Sequence, residues 1–154
     1  MKTAFIIGAS RGLGLALAAE YLKRGWKVIA TQRKGRPSEL QKLAADNPSA
    51  LEIVELDINA PDQIKAAHDA LKGRQIDVLF VNAGVANGPS ETVATVSNEE
   101  FVRIMTTNAL SPIRAVEAFN DLVPKGGVIA VMSHFRGAIW PTVPAGLRKN
   151  AWLG

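Results

Sequence analysis

Seven residues near the amino terminus, Gly8-Ala9-Ser10-Arg11-Gly12-Leu13-Gly14, have the types and spacing that let a main chain hold an anion. Glycine lacks a Cβ, so Gly8, Gly12 and Gly14 admit both unusual turn conformations and close approach of a charged group to the backbone. If a helix starts at Gly12, its first amides have no partner within the helix and the positive end of its dipole faces the loop. A phosphate is the group such a loop suits. The order Gly-x-x-x-Gly-x-Gly is not the Gly-x-Gly-x-x-Gly of the general dinucleotide fingerprint, and a glycine-rich turn without a ligand is the competing reading.

The flanking segments decide how much weight the loop carries. Lys2 to Ile7 is a short apolar run that ends at Gly8, which reads as a buried strand. From Gly12 the apolar residues Leu13, Leu15, Leu17, Ala18, Tyr21 and Leu22 take up a helical period, which runs out at Lys23-Arg24-Gly25. The alternation then repeats. A strand is expected at Trp26 to Ala30, a helix at Ser38 to Ala45, a strand at Leu51 to Leu56, a helix from Pro61 to Leu71 and a strand at Ile76 to Val81. Helical patterning resumes from Asn98 to about Leu122, with an interruption near Ser111-Pro112, and Gly127 to Met132 reads as a fifth strand. Strands alternating with helices predict an α/β fold: a doubly wound parallel sheet of about five strands in three α/β/α layers, of Rossmann type.

Composition narrows the alternatives. The chain has 154 residues, 47% hydrophobic and 21% charged, which allows one soluble domain. It has no cysteine and two histidines, His68 and His134, so a metal site is not expected. No apolar run reaches membrane-spanning length, and the opening segment lacks the form of a cleavable signal, so a cytoplasmic protein with no membrane partner is expected. The net charge of +4 comes from scattered basic residues without a nucleic-acid motif, apart from the cluster Arg33, Lys34 and Arg36. That cluster is either ordinary basic surface or a local phosphate site. At the end of strand two a dinucleotide-binding sheet commonly places a carboxylate for the adenosine ribose, a charge that repels a 2′-phosphate. Here the segment is Ala30-Thr31-Gln32-Arg33, with no acid. Arg33 could offer bidentate donors to that phosphate, which favours NADP(H) over NAD(H).

Two of these segments resemble the short-chain dehydrogenase/reductase family. Its glycine loop is Thr-Gly-x-x-x-Gly-x-Gly, and Ile7 departs from it only at the threonine. Asn82-Ala83-Gly84, after strand four, is similar to its Asn-Asn-Ala-Gly, with Val81 in place of the first asparagine. Within the family the two segments together look most like the C-factor-like branch. The resemblance implies cofactor-binding roles for Gly8, Ser10, Arg11, Gly12, Leu13 and Gly14, and a steadying role beside the cofactor for Asn82, Ala83 and Gly84. Asp57 matches the acid that faces the adenine ring, although a strand-end aspartate bonding its own loop is nearly as good a reading.

Catalysis in this family uses Tyr-x-x-x-Lys with a preceding serine and an asparagine. Asn108 resembles that asparagine, which supports the lysine through a water. Ser133 and His134 occupy the serine-bearing segment, usually Ser-Ser-x-x-Gly, where counting back from Gly137 puts the catalytic slot on His134. Lys149 is the weak match to the lysine, and the residue four before it is Ala145; the sole tyrosine is Tyr21, on the first helix. The resemblance therefore covers residues 1–133, a dinucleotide-binding domain. Residues 134–154, with Pro141 and Pro144, read as an irregular tail. The family's last two strands are not matched, and a truncated or frame-shifted relative is the expectation. What the resemblance implies is an NADP(H)-dependent oxidoreductase acting on a small carbonyl or secondary alcohol, in a homo-oligomer. A non-catalytic dinucleotide-binding or partner-binding domain is the alternative; a nucleic-acid partner is not expected.

Overall fold

Thr3–Ile7 is an apolar run too short for a helix, and in the computed structural model it forms β1, the central strand of a five-stranded parallel sheet. The structure describes residues 1–35, 38–88, 92 and 94–133. Around β1 stand β2 (Lys27–Gln32), β3 (Leu51–Glu55), β4 (Val78–Val81) and β5 (Val128–Val131), in the order β3-β2-β1-β4-β5. Phe5 pairs with Ile29 on one side and Leu79 on the other, and Leu79 pairs with Ile129. The connections are α1 (Gly12–Lys23), α2 (Glu39–Asp46), α3 (Pro61–Leu71), and a long helical segment made of α4 (Asn98–Met105), a π-turn (Thr106–Leu110), α5 (Ser111–Phe119) and a 3₁₀ turn (Asn120–Leu122).

The two-residue period of a strand sorts side chains between the faces. Phe5, Ile7, Ile29, Leu79 and Val81 pack with Ile64, Ala67 and Leu71 of α3 and Ala115 and Phe119 of α5. Ile6, Val28 and Ala30 pack on the other face with Ala18 of α1 and Leu40 of α2. Phe5 meets Phe119 edge to face, ring centres 5.0 Å apart. The result is the doubly wound three-layer sheet expected from the alternation.

Several boundaries move for identifiable reasons. β2 runs two residues past Ala30, because the buried Thr31 and Gln32 find polar partners in Gly8 and Ser38. β4 starts at Val78, since Ile76 and Asp77 hydrogen-bond to Leu122 and Thr3 before the ladder begins. The helical interruption expected at Ser111-Pro112 lies just before it. Pro112 has no N–H to offer the carbonyl of Asn108 and its ring crowds that position, and the segment widens into the π-turn, where Ser111 N donates to Thr106 O. β5 is largely exposed, because it is the edge of the sheet among the described residues. His68 sits 3.0 Å from both carboxylate oxygens of Asp121, tying α3 to the 3₁₀ turn. Among the described residues no cluster of His, Asp or Glu could hold a metal, and no helix is long and apolar enough to cross a membrane.

Candidate cofactor cleft

At the carboxyl ends of the strands, where the sheet order reverses between β1 and β4, the loops diverge and leave a crevice. A cleft of about 490 Å³ occupies it. Its floor is the glycine loop. Gly8 has φ of +89°, a left-handed conformation, and a Cβ there would lie 2.7 Å from the main chain of Ala83. Gly12 has φ of +59° and nothing within 4 Å of where a Cβ would stand, so its backbone faces open space. α1 begins beside it with no side-chain cap from Arg11 and no acid in the first turn, leaving amide donors and the positive dipole end available.

Hydrogen bonds from distant segments hold this loop. Gly8 N donates to Thr31 Oγ1 at 2.8 Å and Ala9 N to Thr31 O at 2.9 Å. Asn82 Nδ2 donates to Gly8 O at 2.8 Å, while the amides of Asn82 and Ala83 donate to Ile7 O. Gly14 is not in the cleft. It packs behind the loop, where a Cβ would run into Gly8 O and lie 2.7 Å from Asn82 Nδ2. Its contribution is close helix–strand packing.

Gly8, Ser10, Arg11, Gly12, Leu13, Arg33, Asp57, Asn82, Ala83 and Gly84 all line the cleft, so ten of the residues singled out from sequence converge there. Arg11 and Arg33 are exposed cations at its mouth, and the nearest side chain to Arg33 along β2, Gln32, carries no charge. Asp57 stands where its own loop meets the cleft. Its Oδ1 accepts from Asn59 N at 2.9 Å, bonding its own loop, and it also lines the cleft. Asn108 stands one layer back: its Oδ1 accepts from Val85 N at 2.9 Å and its Nδ2 donates to Val85 O at 2.7 Å. That side chain is committed to the loop after β4. Ser133 is exposed just beyond β5 and does not line the cleft. His134 and Lys149 lie outside the described residues. Tyr21 packs on Trp26 at the far end of α1, 4.9 Å between ring centres.

Sequence reasoning missed Thr31, Ile58, Asn59, Arg103, Thr107 and Met132, which also line the cleft. Arg103 pairs with Glu100 at 2.7 and 2.5 Å, and this guanidinium holds the Glu100 carboxyl below its ordinary pKa. None of the six belongs to a local motif.

The family profile described as short chain dehydrogenase matches residues 2–144. This chain belongs to the short-chain dehydrogenase family. Among solved structures, a short-chain dehydrogenase/reductase from Burkholderia multivorans with bound NADP is 50% identical, with a TM-score of 0.86 over 90% of this chain and 61% of that one. A carbonyl reductase from Pseudomonas aeruginosa in complex with NADP is 37% identical, with a TM-score of 0.85 over 90% of this chain and 61% of that one. Serine 3-dehydrogenase of Agrobacterium fabrum is 38% identical over 113 residues, 71% of this chain and 45% of that enzyme. This short-chain dehydrogenase thus spans about half the length of the curated relatives it matches.

Proposed function

We propose that the cleft binds NADP(H), and that the chain contributes the dinucleotide-binding domain, residues 1–133, of an oxidoreductase acting on a small carbonyl or secondary alcohol. The observation that carries the reading is one cleft joining an uncapped helix start at Gly12 to an acid-free β2 end bearing Arg33. In it the amides of Ser10, Gly12 and Leu13 hold the pyrophosphate, Arg11 and Arg33 the 2′-phosphate, and Asp57 and Ile58 border the adenine. Asn82 and Asn108 keep Gly84 and Val85 in place at the nicotinamide end. That two similar structures carry NADP supports the same choice. The nicotinamide, when bound, supplies or accepts a hydride. The protein must then provide a proton donor beside the substrate oxygen, and Ser133, His134 and Lys149 are the candidates in this chain for that end of the cleft.

The second reading, a dinucleotide-binding module without turnover, is favoured by the placement of the only tyrosine at the far end of α1. A homo-oligomer would bury the exposed apolar side chains Phe101, Val102, Met105 and Ile113 along α4 and α5. A cytoplasmic setting, where NADP(H) is present, fits the same picture.

Calorimetry with NADPH and NADH tests the cofactor. NADPH should bind at least about tenfold tighter, as expected for a charge-assisted bidentate contact, and Arg33→Asp should reverse the order. No binding of either nucleotide to folded protein refutes the reading. NADPH oxidation with simple aldehydes and ketones separates the enzyme from the module.

A further inference from the structure

We propose that Asn59 is a positioning residue of the cleft, whose carboxamide sets the π-turn from which Asn108 holds the Val85 loop. The proposal rests on the cofactor reading only for its ligand test. Asn59 follows β3 on the loop shaped by Asp57, and its side chain bridges to the long helical segment 48 and 52 residues away. Asn59 Nδ2 donates to Thr107 Oγ1 at 2.8 Å, and Ser111 Oγ donates to Asn59 Oδ1 at 2.7 Å. The orientation of the amide is fixed by its partners. The single proton of the Thr107 hydroxyl goes to Arg103 O at 2.8 Å, so Thr107 must accept from the amide nitrogen.

Thr107 and Ser111 are both buried, and they flank Asn108 within the π-turn and its exit. A π-turn is a poor arrangement on its own and persists where side chains reinforce it. Asn59 does so from outside the helix, spanning the turn with one bond to each end. The same turn aims the Asn108 carboxamide at both main-chain groups of Val85. Through Asn59 the loop of Asp57, at one wall of the cleft, is mechanically joined to Val85, at the other. If Asn59 is lost, Ser111 can turn its hydroxyl back to the carbonyl of Thr107 four residues earlier, which satisfies the proton but leaves the turn unbraced.

Hydrogen exchange of the 154-residue chain tests the coupling without any ligand. Asn59→Leu, close in size and without donors, should raise exchange at the Val85 amide about tenfold, as expected from losing two hydrogen bonds of ordinary net strength. The amides of Ile6 and Ile29 in the sheet should be unchanged. Thr107→Val removes the partner while Asn59 stays, and should give the same selective pattern, which keeps the test open if Asn59→Leu does not fold. In the ligand arm, Asn59→Leu should weaken NADP⁺ by a larger factor than 2′,5′-ADP, which lacks the nicotinamide half. Three results overturn the proposal: Val85 exchanging freely in the parent protein, all amides accelerating together, or 2′,5′-ADP losing as much affinity as NADP⁺, which would make Asn59 a direct adenosine contact. If the parent binds neither nucleotide, the cofactor reading falls while the exchange result still decides the role of Asn59.

Discussion

Gly12 and Gly14 are two residues apart, and the structure separates their jobs enough to predict opposite phenotypes. In Gly14→Ala the new methyl meets the carbonyl oxygen of Gly8, with Asn82 Nδ2 at 2.7 Å and Ala9 Cα at 3.0 Å. Two of the three neighbours are backbone and cannot turn away. Forcing a methylene into such a contact costs about 1–3 kcal/mol. The methyl also stands on the Asn82–Gly8 hydrogen bond, worth about 0.5–1.5 kcal/mol net. Alanine in place of glycine within a helix returns up to about 1 kcal/mol. The net loss is about 2 kcal/mol, which lowers Tm by about 4–8 °C for a chain of this size. Gly12→Ala meets no neighbour, and its φ of +59° makes a left-handed alanine the only penalty, about 1–2 kcal/mol. Its methyl, however, stands in the cleft, so NADPH affinity should fall at least about tenfold, or about 1.4 kcal/mol. Circular dichroism melting and calorimetry on the two variants read both effects. A Gly14→Ala melt within about 1 °C of the parent, or unchanged NADPH affinity in Gly12→Ala, would refute the reasoning, since the thermal scale here is about 2–4 °C per kcal/mol.

Thr31→Val keeps the shape of a buried side chain but leaves Gly8 N without its acceptor, which should cost about 1–3 kcal/mol in urea unfolding with an unchanged m-value. Glu100 has its carboxyl held below the ordinary 4.5 by Arg103, so the pair favours the folded state at neutral pH and that benefit fades as pH falls below about 4.5. An NMR titration should find the Glu100 midpoint below 4.5, and a midpoint at or above that value would remove the pairing. Ile113→Asp puts a charge on the exposed apolar stripe of α4 and α5; if that stripe joins subunits, sedimentation should show the assembly dissociating, while the melt of the monomer stays within about 0.5 kcal/mol, as for other surface changes.

Where the determinants are local, the sequence was enough. The glycine loop, the helix that follows it and the Pro61 start of α3 depend on residues within a few positions of one another, and each forms where its pattern placed it. The three-layer sheet follows from alternation alone. Less legible were features that depend on partners far along the chain. Thr31 and Gln32 look like a strand ending, yet they continue β2 because Gly8 and Ser38 satisfy them. The π-turn was displaced from the expected break because a proline disturbs the carbonyl four residues before it, not its own position. Gly14 belongs to the motif but serves packing, a distinction that needs the neighbour's coordinates. Arg103 and Asn59 carry no motif at all, and only the approach of the long helical segment to the β3 end brings them to the cleft.

The position of β1 in the middle of the sheet has a consequence for synthesis on the ribosome. Its partner β4 begins about seventy residues later, and the bonds that shape the glycine loop wait for Asn82, 74 residues downstream of Gly8. At roughly 5–20 residues per second, 74 residues take about 4–15 s to emerge. Thr-Ala-Phe-Ile-Ile has both flanks open until β2 has emerged and one open from then until β4 arrives, a sticky apolar ribbon in either case. The nascent chain must therefore be shielded, or kept dilute, until translation reaches the strand that seals it.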